Sequence, residues 1–291
     1  MPTPNGAVLT IVTGVGYVGR RVLAALPRST RLGLSRSPNT ADTRLLDLDS
    51  DTPALPEMPA AYDVIYTVPP RRKGNDDLRL QTFLDLLPGP PRRFVYLSTS
   101  GVYGDCQGRR VDESTPTNAT TPRAKRRVDA ERRLIAYCRH NGTRLVVLRV
   151  PGIYGPGRLG LDRIRESNAL LAEEDANPGN RIHVDDLARC CIAALAVDTV
   201  EGIFNVGDGD DRSSTWFAME LARQAGLDAP PVVSRARAEK TFSDKRLSFL
   251  RESRRLDLAK MRSELNVDVH YADAADGIAA SLKEEPAQNV K

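Results

Sequence analysis

Three glycines spaced Gly14-x-Gly16-x-x-Gly19 follow an apolar run, Ala7 to Val12, and precede a helical stretch, Arg20 to Leu26, that stops at Pro27. That order has a chemistry. The first glycine permits a tight turn, the second lets a pyrophosphate approach the backbone, and the third lets helix pack on strand. The start of the helix then offers free N–H groups to phosphate oxygens. Gly14, Gly16, Tyr17, Val18 and Gly19 are therefore expected to form the floor of a dinucleotide site. A site that prefers NAD places an acid about 20 residues further on, at the end of the second strand, where it holds the ribose 2′-hydroxyl. Here that position holds Ser35-Arg36, and no acid comes before Asp42. A guanidinium and a hydroxyl suit a 2′-phosphate through charge-assisted hydrogen bonds. NADP is the expected cofactor and NAD the weaker alternative. Asp47, in Leu46-Asp47-Leu48, is either an acceptor for the adenine amine or a turn residue closing a strand.

These residues need a sheet to carry them. Apolar runs at Thr30 to Leu34, Arg44 to Leu48, Asp63 to Val68, Phe94 to Leu97 and Arg144 to Val150 read as strands. Helical stretches at Leu78 to Leu87 and Arg123 to His140 stand between them, and Gly89-Pro90-Pro91 breaks the first. With the initial strand this makes six strands joined by crossovers. The expected fold is α/β, a Rossmann-like doubly wound parallel sheet with a small C-terminal substrate-binding cap. After Pro151 the texture changes to Gly-, Pro- and Asp-rich segments around one helix, Val184 to Ala196, and one strand, Gly202 to Val206. Residues 1–155, with 182–206 returning to them, are expected to form the dinucleotide-binding domain. Residues 156–181 and 207–285 form the cap, and 286–291 a frayed tail.

Composition narrows the function classes. Of 291 residues, 41% are hydrophobic and 27% charged, which excludes a wholly disordered chain. No apolar run approaches the roughly 20 residues of a membrane span, and the N-terminus lacks the basic start of a signal peptide; a cytoplasmic protein is expected. Cys106, Cys138, Cys190 and Cys191 form no Cys-x-x-Cys pair, and with three histidines no metal site is expected. The net charge is +4, and arginine outnumbers lysine about five to one. The basic residues are scattered among acids, however, and aromatics are only 5%, which leaves few stacking platforms for nucleic acid. A small-molecule substrate is the expected partner, with the chain a monomer or homodimer.

Tyr96-Leu97-Ser98-Thr99-Ser100-Gly101-Val102-Tyr103-Gly104-Asp105 resembles the extended short-chain dehydrogenase/reductase superfamily. Three further stretches match it in order: Val111-Asp112-Glu113-x-Thr115-Pro116, Arg149-x-Pro151-Gly152-Ile153-Tyr154-Gly155-Pro156-Gly157-Arg158, and Arg181-Ile182-His183-Val184-Asp185-Asp186-Leu187. The shortened glycine motif and Val68-Pro69-Pro70-Arg71-Arg72 are similar to the atypical YeeZ-like group within the NAD-dependent epimerase/dehydratase superfamily. The resemblance implies that Leu48, Val68, Pro69, Pro70, Thr99, Pro151 and Ile153 lie along the cofactor. It also implies that Ser100, or Thr99 in the neighbouring register, hydrogen-bonds a substrate oxygen, and that His183 is structural. Asp185 and Asp186 read more simply as the first turn of a helix, where acids favour the dipole.

The same family uses a Tyr-x-x-x-Lys pair as its acid/base, and this chain departs from it. Anchoring on Ala130-Glu131-x-x-Leu134 puts Arg123 at the tyrosine position and Arg127 at the lysine position. A shifted register pairs Thr121 with Lys125 but then places Asp129 at the usual Glu and Arg132 at an apolar position. Neither register holds a tyrosine. Arginine stays protonated and cannot be a base near neutrality, though it can stabilise an oxyanion or hold an anionic substrate. Tyr103 is left as the candidate proton donor. The expectation is an NADP-binding oxidoreductase with an atypical site. The alternatives are a non-catalytic NADP-binding redox sensor or regulator and a nucleotide-sugar epimerase or dehydratase.

Overall fold

The computed structural model describes residues 8–197 and 199–285, the side chains of Lys245 and Phe249 excepted. The expected tail, 286–291, lies outside the described residues. Seven strands form one sheet: β1 (Leu9–Thr13), β2 (Arg31–Ser35), β3 (Thr43–Leu45), β4 (Tyr62–Tyr66), β5 (Arg93–Thr99), β6 (Arg144–Val150) and β7 (Gly202–Asn205). Their spatial order is β7-β6-β5-β4-β1-β2-β3, and every pairing is parallel. This is the doubly wound sheet that the apolar runs imply. β3 is shorter than its apolar run, because the Asp47 carboxylate accepts the Asp49 N–H at 2.9 Å and turns the chain out of the sheet.

Parallel strands are buried on both faces, so they read as continuous apolar runs. In β4 all five residues are buried. On one face α1 (Tyr17–Ala25) and α5 (Val184–Ala196) cover Val12, Ile65, Val95 and Leu148. On the other, α2 (Leu78–Leu86) and α3 (Pro122–Asn141) cover Ile11, Val64, Tyr66, Phe94 and Tyr96. α1 begins at Tyr17, earlier than expected, because Val18 and Gly19 already face the sheet. α3 starts where Thr121 accepts the Ala124 N–H and Pro122 needs no partner, and it ends at left-handed Gly142. Both termini of α3 are thus fixed by local chemistry.

Beyond β6 the chain is better ordered than its texture suggests. Short helices α4 (Leu161–Arg165), α7 (Arg235–Thr241) and α8 (Asp244–Leu250) join the longer α6 (Ser214–Ala225) and α9 (Ala274–Glu284). Tyr154, Leu159, Ile164, Leu221, Ala222, Ala274 and Ile278 give this region its own small core. Parallel two-stranded ribbons tie it down, including Gly152–Tyr154 with Arg181–His183 and Arg110–Val111 with Arg255–Leu256. β7 returns to the main sheet beside β6.

Candidate functional site

The strand order reverses between β1 and β4, and a crevice must open there, outside the carboxyl ends of the strands. A cleft of about 510 Å³ occupies that place. The turn after β1 forms its floor. Gly14 has φ +96°, its N–H donates to Leu34 O at 2.8 Å, and the Thr67 hydroxyl donates to its carbonyl at 2.6 Å. A Cβ on Gly19 would lie 2.2 Å from Gly14 O, so helix and turn can approach only if that residue is glycine. Gly16 is the contrast: a Cβ there would meet nothing within 4 Å. α1 has no side-chain cap and no acid in its first turn, which leaves its first N–H groups to an anion.

Gly14, Gly16, Tyr17, Val18, Ser35, Arg36, Asp47, Leu48, Val68, Pro69 and Ile153 all line this cleft. Gly19 supports it from behind. Pro70, Thr99 and Pro151 were expected along the cofactor and do not line it; Thr99 and Pro151 belong to a second cleft, where β5 and β6 end. Asp42 is not a ribose ligand, since Arg31 holds it at 2.6 Å, and this hydrogen bond keeps its carboxyl below the usual range. Asp47 lines the cleft while its carboxylate serves the strand-end turn. Arg79 and Arg158 are lining residues that sequence reasoning did not assign to the site. Arg79 and Arg71 hold Asp49 far below the usual carboxylate range, and Arg79 also donates to Pro69 O at 2.8 Å. Together these contacts fix the wall that follows β4.

The second cleft, about 410 Å³, adjoins the first, and Ile153 lines both. Ser100, buried, and Thr99 stand at its edge, and Thr99 accepts the Gly101 N–H at 3.2 Å. Arg127 lines the first cleft and donates to the Tyr96 hydroxyl at 2.9 Å, whereas Arg123 lines the second. Thr121 is the α3 cap and Lys125 lines a separate surface recess with Asp129 and Arg132. Arg181 and Arg254 also line the second cleft, with Glu252 as its one lining carboxylate, 3.1 Å from Arg254. Arg181 in turn stands 3.6 Å from Asp210, so the cleft is lined by arginines of which two are paired with carboxylates. Glu252 and Arg254 sit in a stretch without a motif, so nothing in the sequence singled them out, whereas Arg181 opens the motif that contains His183.

Tyr103 is a correction. It is 1% exposed, lines neither cleft, and its hydroxyl donates to the Asn205 side chain at 2.8 Å. Burial raises its pKa, so it cannot serve as the proton donor of a substrate it does not meet. It belongs to a buried network instead. Arg149 lies 4.7 Å from its ring centroid and pairs with Glu131 at 2.9 Å, and Glu131 also accepts from Ser98. His183 is structural in geometry as well. Its Nδ1 accepts the Asp185 N–H at 3.2 Å, Nε2 stands 3.1 Å from Ser281 Oγ, and burial lowers its pKa. Asp185 and Asp186 do occupy the first turn of α5, but buried Asp186 also accepts the His270 and Tyr271 N–H groups, both at 3.0 Å.

A glycine turn with free helix N–H groups at the switch point of a parallel sheet is the architecture of a Rossmann-like doubly wound fold. Residues 80–207 match the NAD dependent epimerase/dehydratase family. The chain is similar to protein YeeZ of Escherichia coli K12, 28% identical over 195 residues, or 63% of this chain and 66% of that protein. Among solved structures it is similar to a functionally unknown conserved protein from Silicibacter pomeroyi, with a TM-score of 0.79 and 27% identity over 96% of this chain and 99% of that one. It also shares its fold with a human epimerase family protein, SDR39U1, solved with NADPH (TM-score 0.73, 18% identity, 94% and 99% covered). No helix among the described residues is long and apolar enough to cross a membrane.

Proposed function

We propose that the chain is an NADP-dependent oxidoreductase acting on a small anionic substrate. The observation that carries this reading is the adjacency of the two clefts, with Arg127 and Arg123 one helical turn apart on α3 and each lining a different one. In this reading the first cleft holds the dinucleotide: the α1 N-terminus takes the pyrophosphate, and Ser35 and Arg36 take the 2′-phosphate. The arginine-lined second cleft takes the substrate. Bound NADP supplies or accepts a hydride. Ser100 orients the substrate oxygen, and Arg127 and Arg123 stabilise the negative charge that develops on it. Neither arginine can take up a proton, so water, or Glu252, carries it.

Calorimetric titration with NADPH and NADH tests the cofactor assignment. NADPH is expected to bind at least about tenfold tighter, or about 1.4 kcal/mol, and Arg36→Asp to remove that preference. Equal affinities in the unmodified protein refute it. A non-catalytic NADP-binding regulator is the second reading, favoured by one fact: α3 offers no tyrosine to the clefts, and Tyr103 is sealed in the core. NADPH oxidation across a panel of carboxylate- and phosphate-bearing carbonyl compounds separates the two. Turnover of any of them excludes the regulator.

A further inference from the structure

The first cleft contains a cation that comes neither from the glycine turn nor from the strand ends. Arg158 lies in the loop Gly155-Pro156-Gly157-Arg158, beyond the short strand Gly152–Tyr154, on the side of the chain that builds the cap. Its guanidinium stands 4.0 Å from the ring centroid of Tyr17, the first residue of α1. Arg21 lies 4.6 Å from the same centroid, but Arg21 is paired with Asp185 at 2.8 Å. Arg158 is exposed, and among the described residues no carboxylate pairs with it. The loop is held at two points just before the arginine. A Cβ at Gly155 would lie 2.8 Å from the Tyr17 hydroxyl oxygen, and the Gly157 N–H donates to Glu285 at 2.7 Å.

We infer that Arg158 is the counter-charge for the pyrophosphate of the dinucleotide, reaching it from the cap while the α1 N-terminus reaches it from the sheet. The inference rests on the dinucleotide reading of the first cleft and adds a residue that reading does not need. Its logic is electrostatic. A pyrophosphate lying on Gly16 has backbone N–H groups beneath it, and these supply partial charge only. Arg158 is held beside Tyr17, at the same helix start, by its cation–π contact with that ring, and it lines the same cleft. A guanidinium so placed can donate two parallel hydrogen bonds to phosphate oxygens. Bound dinucleotide then bridges cap and sheet, so the loop 155–158 is ordered most when the cleft is filled.

Isothermal calorimetry on the full chain, using NADP⁺ and NAD⁺ as probes, tests this. Arg158→Gln is expected to weaken the tighter-binding dinucleotide about tenfold, the loss of one charge-assisted contact. Arg158→Lys, which keeps the charge but not the two-pronged contact, should weaken binding less than Arg158→Gln, and the melting temperature without ligand should not move in either variant. If the parent binds a dinucleotide and Arg158→Gln binds it equally well, the inference is wrong and the cofactor site stands. If Gln and Lys weaken binding equally, charge is not the cause, and the inference is again wrong. If the parent binds neither dinucleotide, the cofactor reading fails and this one with it.

Discussion

Glu131 and Arg149 form the pair whose disruption the structure prices most clearly. Their side chains are 5% and 4% exposed. The guanidinium reaches Glu131 twice, through Nη2 at 2.9 Å and Nε at 3.3 Å, and Ser98 Oγ donates to the same carboxylate. Arg149 Nη1 has no hydrogen-bond partner among the described residues. Glu131→Gln keeps the shape but leaves a buried cation without a counter-ion, which costs about 3–5 kcal/mol. At roughly 2.1 cal/mol/K of unfolding entropy per residue, a 291-residue chain loses about 1.6 °C of Tm per kcal/mol. The expected drop is therefore about 5–8 °C by calorimetry. Replacing both partners, Glu131→Leu with Arg149→Met, removes the charge as well as its partner and should recover much of the loss. A Glu131→Gln melting temperature within about 1 °C of the parent refutes the reasoning, because the guanidinium would then be solvated in a way its burial does not allow. A double variant no more stable than the single one refutes the electrostatic account specifically.

Three other perturbations follow from particular contacts. Asp208 is 4% exposed, and burial raises its pKa from 3.8 to about 7. Its contribution to stability is thus present below pH 4 and lost as pH rises to 7. Asp208→Asn, which preserves the acceptor for the Asp210 N–H, should stabilise the protein increasingly from pH 4 to 7 relative to the parent; parallel Tm-against-pH curves would exclude this. Gly16→Val projects into open space in the free protein, so its thermal unfolding should match the parent while dinucleotide binding disappears, and retained affinity would remove Gly16 from the site. Arg123→Ala with Arg127→Ala should abolish the thermal-shift response to carboxylate or phosphate compounds given with NADP, whereas an equal response in both proteins places the arginines outside the substrate site.

The sheet was legible because its causes are local. Strands buried on both faces leave unbroken apolar runs, as Arg144 to Val150 shows by matching β6 residue for residue. The glycine turn is legible for a similar reason: a positive φ at Gly14 and a contact too close for Cβ at Gly19 restrict residue type at those positions. The cap was not legible. α6 and α9 pack Leu221, Ala222, Ala274 and Ile278 into a core completed by Tyr154, Leu159 and Ile164 from distant segments. Their stability is tertiary, and a sequence records that weakly.

Tyr103 shows where motif reading and geometry part. Its place after a Ser/Thr-rich strand end puts it near the ligand-binding edge of the sheet, but nearness along the chain does not set the direction of a side chain. The short 3₁₀ turn Ser100–Tyr103 keeps Ser100 at the second cleft and rotates Tyr103 inward, where Asn205 Oδ1 on β7 accepts a hydrogen bond from its hydroxyl. Asn205 itself is held by the Val111 and Asp257 carbonyls at 3.1 and 3.3 Å. That partner lies 102 residues away, so no local pattern could have disclosed it. The consequence for chemistry is specific. Of the tyrosines near the strand ends, Tyr96 sits beneath Arg127 as its acceptor and Tyr103 is committed to β7. α3 then presents guanidiniums where the superfamily that the sequence resembles presents a phenol and an amine. A reaction in the proposed site would hold charge in place and need a separate group to carry the proton; besides water, the second cleft offers the Glu252 carboxylate and the Tyr154 hydroxyl among its lining groups.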